Sequence, residues 1–377
     1  ATAGKSYPTP ESRMSASSLG PVRSTSPRPA DYVHPTSTYA ALMRTVRDSG
    51  LLRRRTGFYY AVFAGLAVAL GGAITGFILL GDSWFQLLIA GALGVILTQI
   101  AFVTHEAAHR QIWASGKTND WVGRILAAGV VGISYHWWMH KHSRHHAKPN
   151  QRGADPDIEL DTISFVPEDA ASAGRLRALV TRKQGWLFFP LLTLEGLNLH
   201  AHGLRHLFGR GKIEGRAVEL SLITLRLSLY VAVIFWALPL GMAFAFLGVQ
   251  LAVFGVYMGA SFAPNHKGMP ILPADSPLDF LSRQIITSRN IRGGWWATAL
   301  YGGLNHQVEH HLFPNMPRPA LARAREITRE YAQQLQIPYT EAGVVESYRI
   351  VIRYLNEVGL NARSPFDCPL VNRFRTT

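Results

Sequence analysis

The sequence predicts an all-α membrane protein: four transmembrane helices in two hairpins, with a cytoplasmic helical cap that holds a metal site. Three observations predict it. Long apolar stretches come in two pairs, Lys and Arg avoid the short links within each pair, and histidines gather beside the opposite ends of the spans.

A hydrophobic fraction of 48% would also suit a large soluble protein, so placement decides. Residues Gly57 to Leu80, GFYYAVFAGLAVALGGAITGFILL, contain no charged residue, and after a short break SWFQLLIAGALGVILTQIAFV runs to Val103. Each stretch is about 20 residues, enough for a helix to cross ~30 Å of hydrocarbon. A second pair lies between about Val218 and Phe262, broken near Pro239-Leu240-Gly241. The link Gly81-Asp82-Ser83 and the Pro239 turn carry no Lys or Arg, whereas Arg53-Arg54-Arg55 directly precedes the first span. Lys and Arg recur through residues 105–216 and beyond 267, so the positive-inside rule puts both termini and the central segment in the cytoplasm. A net charge of +14 then fits a basic surface against an anionic leaflet, and no nucleic-acid-binding motif competes with that reading. Arg226 falls inside the third span; either it snorkels to the cytoplasmic side or the span begins later.

Residues 1–50, rich in Ser, Pro, Thr and Arg, read as a disordered or loosely attached cytoplasmic tail without the apolar core of a signal peptide. Residues 51–318 form the expected transmembrane core and 319–377 the C-terminal cap. In the cap Val344, Tyr348, Val351, Leu355 and Val358 recur at helical spacing, as core packing requires. The single cysteine, Cys368, excludes an internal disulfide framework.

Of the 15 histidines, His34 lies in the tail and the rest fall outside the apolar spans, on the side assigned to the cytoplasm. Three groups are tightly spaced: His105-Glu-Ala-Ala-His109, His142-Ser-Arg-His145-His146 and Gln307-Val-Glu-His310-His311. Offsets of three and four put side chains on one helix face, so each group can aim imidazoles at one point. Together they supply more donors than one first-row ion uses, which makes two metals the economical reading. His200, His202 and His206 read as surface or interface residues. His136 and His140 read equally as groups that orient ligands or as structural ones.

His105-Glu106-Ala107-Ala108-His109 also fits the H-E-x-x-H pattern of zinc metalloproteases, with Glu106 as general base. That alternative needs a third ligand and leaves the other two groups unexplained. A metal transporter would place polar pairs inside the spans, and these hold no His.

Boxes of the form HxxxH, HxxHH and QxxHH around two membrane hairpins, with NHQVEHHLFP at 305–314, resemble the membrane fatty-acid desaturase family over about residues 57–360. The resemblance implies a di-iron site facing the cytoplasm, with His105, His109, His142, His145, His146, His310 and His311 as ligands. His266, in APNHKGMP just after the last span, is the implied eighth. Gln307 in place of His resembles the front-end and bacterial acyl-CoA branches, and GADPDIE at 153–159 looks like the latter. Gln307, His306, Glu106, Glu309 and Asp157 are further candidates to coordinate or orient, as are Asp155 and Glu159 for orienting imidazoles. Trp137, Trp138, Trp295 and Trp296 are candidates for the mouth of a substrate channel, though interfacial Trp belts are common.

The implied activity is O₂-dependent insertion of a cis double bond into a long-chain acyl group, carried on CoA or on a lipid. No H-P-G-G haem motif is present, so electrons are expected from a separate ferredoxin or cytochrome b5 type protein with its reductase. A fatty acyl or lipid hydroxylase on the same scaffold is the runner-up, because hydrogen abstraction precedes either outcome.

Overall fold

The computed structural model describes residues 35–159, 163–172 and 175–361. The first 34 residues of the expected tail, His34 among them, and Cys368 lie outside the described residues. In chain order come α1 (Pro35–Asp48), α2 (Thr56–Leu80), α3 (Gln86–Ala108), α4 (Gly116–Arg124) and a π-helical stretch, Ile125–Val131. There follow α5 (Tyr135–Ala147), α6 (Pro167–Ala171), α7 (Arg175–Thr181), α8 (Gln184–Leu192), α9 (Glu195–Phe208), α10 (Arg216–Ala237) and α11 (Leu240–His266). The remainder is α12 (Phe280–Ile286), β1 (Arg289–Arg292), α13 (Trp295–Leu300), α14 (Gln307–Leu312), α15 (Leu321–Gln334), β2 (Thr340–Gly343) and α16 (Val344–Asn361).

Among the described residues, four helices are long and apolar enough to cross a membrane: α2, α3, α10 and α11, of 25, 23, 22 and 27 residues. Within the most apolar part of each, 50% of α3 and 33% of α11 are buried by protein, against 6% of α2 and 11% of α10. The latter pair therefore present most of their apolar surface outward, which in water would be prohibitive and in lipid costs nothing. Small residues let α3 and α11 approach closely: a Cβ on Gly94 would lie 2.9 Å from the Gln250 carbonyl. The link from α2 to α3 turns at Gly81, whose φ of 52° suits glycine. Gln86 then donates to the Phe77 and Gly81 carbonyls at 2.7 and 2.9 Å, satisfying groups that the end of α2 leaves open. Pro239 breaks the chain before α11, its ring compatible with a helix start but not a helix interior.

Arg226 sits well inside α10, which runs from Arg216 to Ala237. Its Nε donates to the Val130 carbonyl at 2.9 Å and its guanidinium lies over the Tyr230 ring. The π-helical stretch leaves that carbonyl open for it.

Helices α3 and α11 run past the apolar stretches read from the sequence, ending at Ala108 and His266. Helix α11 runs through Pro264 to do so, and His105 and His266 ride on the last turns of these long helices.

The structure departs from the expectation in two places. Strands β1 and β2 pair in parallel, Arg289 opposite Thr340 through Arg292 opposite Gly343, a feature that four-residue segments do not announce. Residues 35–48, expected within a loose tail, form α1, whose Leu42 and Val46 are buried among Leu281, Ile285, Val308 and Leu312. The apolar positions Leu42 and Val46, four apart, give α1 one face to bury. Helix α16 packs its Val351 and Leu355 with Phe188, Leu192 and Ala263.

Candidate metal centre

Four elements bring the histidines together. Helix α3 carries His105 on its last turn and His109 at its C-terminal cap, where the His109 amide bonds the His105 carbonyl at 3.1 Å. Helix α5 carries His142, His145 and His146; Ser134 caps its start by accepting from the Trp137 amide and anchors to Glu219 at 2.7 Å. Helix α11 ends on His266, and the six-residue α14 carries His310 and His311.

Two sets of ring nitrogens result. His105, His109, His142, His146 and His310 form one, and His145, His266 and His311 the other, with donor atoms within 4.8 Å of one another inside each set. In the first set His142 Nε2 lies 3.2 Å from His105 Nε2 and 2.8 Å from His109 Nε2. Each of these nitrogens presents either an N–H or a lone pair, so three meeting at one point set at least two like groups against each other, a conflict that a cation bound by the lone pairs would resolve. The rings of His146 and His311 stack 4.3 Å apart and join the two sets.

In the second set every Nδ1 has a partner outside it. His145 Nδ1 lies 3.0 Å from both Asp155 oxygens, His266 Nδ1 donates to the Thr287 carbonyl at 2.9 Å, and His311 Nδ1 donates to Gln284 Oε1 at 2.9 Å. This fixes the tautomers and leaves Nε2 lone pairs pointing into the set. His311 Nε2, His310 Nε2 and both nitrogens of His146 are buried and without a hydrogen-bond partner. Such orphaned nitrogens are rare unless something else completes them, so the donors fit imidazole-ligated metal ions.

Electrostatics agree. Burial and neighbouring imidazoles hold His142, His146, His310 and His311 well below the usual imidazole range, and burial lowers His109 to about 3. Neutral imidazole is the form that binds metals. Burial also disfavours protonated His145, but Asp155 and Asp157 outweigh it and raise the pKa, making that ring a stronger donor.

The remaining expected residues divide. Gln307 reaches the second set, its amide 2.8 Å from His266 Nε2 and its Oε1 accepting from Asn265. Asp157 lies 3.4 Å from His145 Nδ1 and pairs with Lys141 at 2.9 Å, while Glu159 pairs with Arg144 at the surface. Glu106 points at neither set: Arg318 grips its two oxygens at 2.8 and 2.5 Å, and Tyr59 donates to it. That grip leaves the zinc-protease reading without its general base. Glu309 accepts from Asn290 at 2.8 Å and Tyr339 at 2.7 Å, and burial pushes its pKa up to about 7. His306 is buried against Thr298, outside both sets.

Among the tryptophans, Trp138 stacks on His142 with ring centres 4.2 Å apart. It also lines an apolar cavity of about 40 Å³ with Ala101, Phe102, His105, Val131 and Phe262. Trp137 instead packs in the core between α3, α11 and the π-helical stretch, and Trp295 and Trp296 are 85% and 47% exposed. His200 is bound to the Gly196 carbonyl, as expected of a structural residue, and His202 lies against Trp137. His136, His140 and His206 gather on the outer face of α5, away from both sets.

Sequence reading missed Arg318, Gln284, Asn290, Tyr339 and the Thr287 carbonyl. None carries a spacing signal; Arg318 meets Glu106 across 212 positions of chain.

Residues 82–343, which include all eight histidines, match the sequence model of the fatty acid desaturase family. The chain is 26% identical to a Delta(8)-fatty-acid desaturase of Helianthus annuus over 320 residues, 79% of this chain and 68% of that protein. It is 25% identical to an acyl-lipid (9-3)-desaturase of Borago officinalis, covering 86% of this chain and 75% of that one. It is also 25% identical to a Delta(6)-fatty-acid desaturase of Caenorhabditis elegans, covering 85% and 74%. With long apolar helices, a buried double set of imidazoles and a match across most of its length, the chain belongs to the fatty acid desaturase family and is an oxidoreductase.

Proposed function

We propose that the chain is an O₂-dependent desaturase that inserts a cis double bond into a long-chain acyl group carried on coenzyme A. In this reading His105, His109, His142, His146 and His310 hold one iron ion, and His145, His266 and His311 hold a second, with Gln307 beside it. The observation that carries the reading is the contact between the five-imidazole set and the apolar cavity, which share His105 while Trp138 stacks on His142. An acyl methylene in that cavity would lie against the set and away from water.

Bound iron would supply the oxidising power to take hydrogen from an unactivated methylene, which no side chain has. The chain's own residues hold the ions, keep the imidazoles neutral, exclude water and align the acyl chain. The cavity is narrower than a long acyl chain, so the packing of Val131 and Phe262 must give when substrate enters.

The same reading sets α2–α3 and α10–α11 across the bilayer as two hairpins, with termini, cap and site in the cytoplasm. Support comes from the links 81–85 and 238–239, which carry no Lys or Arg. Residues 51–318 are then the membrane core and 319–377 the cap, with α1 extending the folded part to residue 35. Electrons would come from a separate ferredoxin or cytochrome b5 type protein and its reductase. The GADPDIE segment at 153–159 supports CoA as carrier, whereas the Borago relative's name points to lipid-borne chains.

Metal content and product analysis test the proposal together. The purified chain should hold about two iron ions, lost when His145 and His310 are both changed to Ala. Supplied with O₂, an electron donor and either long-chain acyl-CoA or acyl-lipid, it should convert the thioester to the unsaturated acyl-CoA. About one zinc ion unaffected by those changes sinks the iron assignment. A hydroxylated product moves the activity to the hydroxylase, and turnover of the lipid alone moves the carrier.

A further inference from the structure

Helix α5 has two histidine faces. His142, His145 and His146 look inward, while His136 and His140, four residues apart, share the opposite face with Ser143 and Ala147. That outer face borders an open cleft of about 430 Å³ that also involves Met139 and Arg144. Beside this face stands His206 of α9, whose Nε2 lies 3.0 Å from His136 Nδ1. The His206 ring runs nearly parallel to both partners, 5.2 Å from His136 and 6.2 Å from His140.

We propose that His136, His140 and His206 form a second metal site, at the surface, that takes one borderline divalent cation of the zinc type and ties α5 to α9. Three arguments carry it. First, a tetrahedral ion with bonds of ~2.0–2.1 Å holds its ligand nitrogens about 3.3 Å apart, so the His136–His206 pair needs almost no movement. Second, a pair of His at i and i+4 is the spacing that lets one helix give two imidazoles to one ion. His140 is exposed, so its ring is free to swing toward the pair. Third, the pair is held from behind: Glu219 accepts from the His136 amide and from Ser134 and pairs with Arg124, which fixes the start of α5. The open cleft leaves room for a water as fourth ligand. Imidazole-only donors suit zinc, copper or nickel over calcium or magnesium. His202, one turn earlier on α9, lies against Trp137 and is not part of the triad. The site is independent of how the interior sets are assigned, because none of its ligands belongs to them.

The test is zinc chloride added to the tag-free, metal-loaded protein at pH 7.5, with bound zinc and retained iron counted together. Wild type should take up about one zinc per chain without losing iron, and its thermal midpoint should rise as α5 and α9 are tied. His206→Ala and His140→Ala should each weaken that uptake at least tenfold and abolish the midpoint rise, while basal desaturation is unchanged. His206→Gln, which keeps a polar side chain at the helix surface, guards against loss of fold and should behave like His206→Ala. No uptake by wild type overturns the proposal. So does uptake undiminished in the variants, or uptake matched by loss of iron, which would put the zinc in the interior sets.

Discussion

The two interior imidazole sets differ in what holds them. In the three-histidine set each ring is tied through Nδ1 to a carboxylate, a carbonyl or an amide. In the five-histidine set the nitrogens of His105, His109 and His142 contact one another, and those of His146 have no hydrogen-bond partner. The second set is thus oriented before a metal arrives, while the first depends on backbone placement and on the ion. Its backbone is fixed from outside. Arg318 locks Glu106 between His105 and His109, and Tyr59 bonds Glu106, Gln111 and the Arg318 amide together.

Breaking that lock should have the largest effect. Arg318→Ala leaves the Glu106 carboxylate buried and unpaired, which costs about 3–5 kcal/mol. Thermal or denaturant unfolding should show this loss, with iron content falling in parallel. The double change Glu106→Gln, Arg318→Met removes both charges and should recover most of the stability. If the single change is neutral, the five-histidine set is not held through this pair.

Next comes the set with partners of its own. Asp155→Ala removes the group that orients His145, while the Asn150 and Asp157 amides lose an acceptor. Losing such a partner typically costs 10–100-fold in metal affinity, and chelator competition reads it directly. Half of the bound iron should become labile and half should not. Equal loss of both would mean that the sets act as one unit through the His146–His311 stack.

The sequence made the four long helices and seven of the eight interior histidines legible, because apolar length and i, i+3, i+4 spacing are local properties; His266, which has no histidine neighbour in the chain, was reached only through the resemblance to the desaturase family. What it could not show is how the boxes mix. Box two divides between both sets, with His142 and His146 in one and His145 in the other, and box three divides likewise at His310 and His311. Adjacent helix residues point about 100° apart, so a doublet feeds two centres, yet which centre each serves depends on packing across the chain. The roles of Arg318, Asn290 and Tyr339 are non-local for the same reason. Helix α1 read as tail, since it follows a Ser-, Pro- and Arg-rich stretch and the distant partners of Leu42 lie more than 200 residues later.

Gln284 separates the sets more finely. Its Oε1 accepts from His311 Nδ1 and its Nε2 donates to the His146 carbonyl, so it touches a residue of each. Gln284→Leu should lower metal affinity of the three-histidine set by about tenfold, the low end of the range for an orienting partner. Its effect on the other set should be smaller, because there it meets backbone only.

The smallest effect tests α1. Tyr39 donates to the Leu312 carbonyl at 2.7 Å, at the last turn of the short helix that carries His310 and His311, and its ring meets Phe280 and Phe313. A six-residue helix has few bonds of its own, so its end is steadied from outside. Tyr39→Phe keeps the ring and removes one hydrogen bond, which should cost about 1 kcal/mol of stability. Because α14 feeds one histidine to each set, both should loosen equally, and spectra of the bound iron should shift at both ions. A change confined to one ion would show that α14 transmits to that set alone, and unchanged spectra with unchanged stability would return α1 to the status of tail.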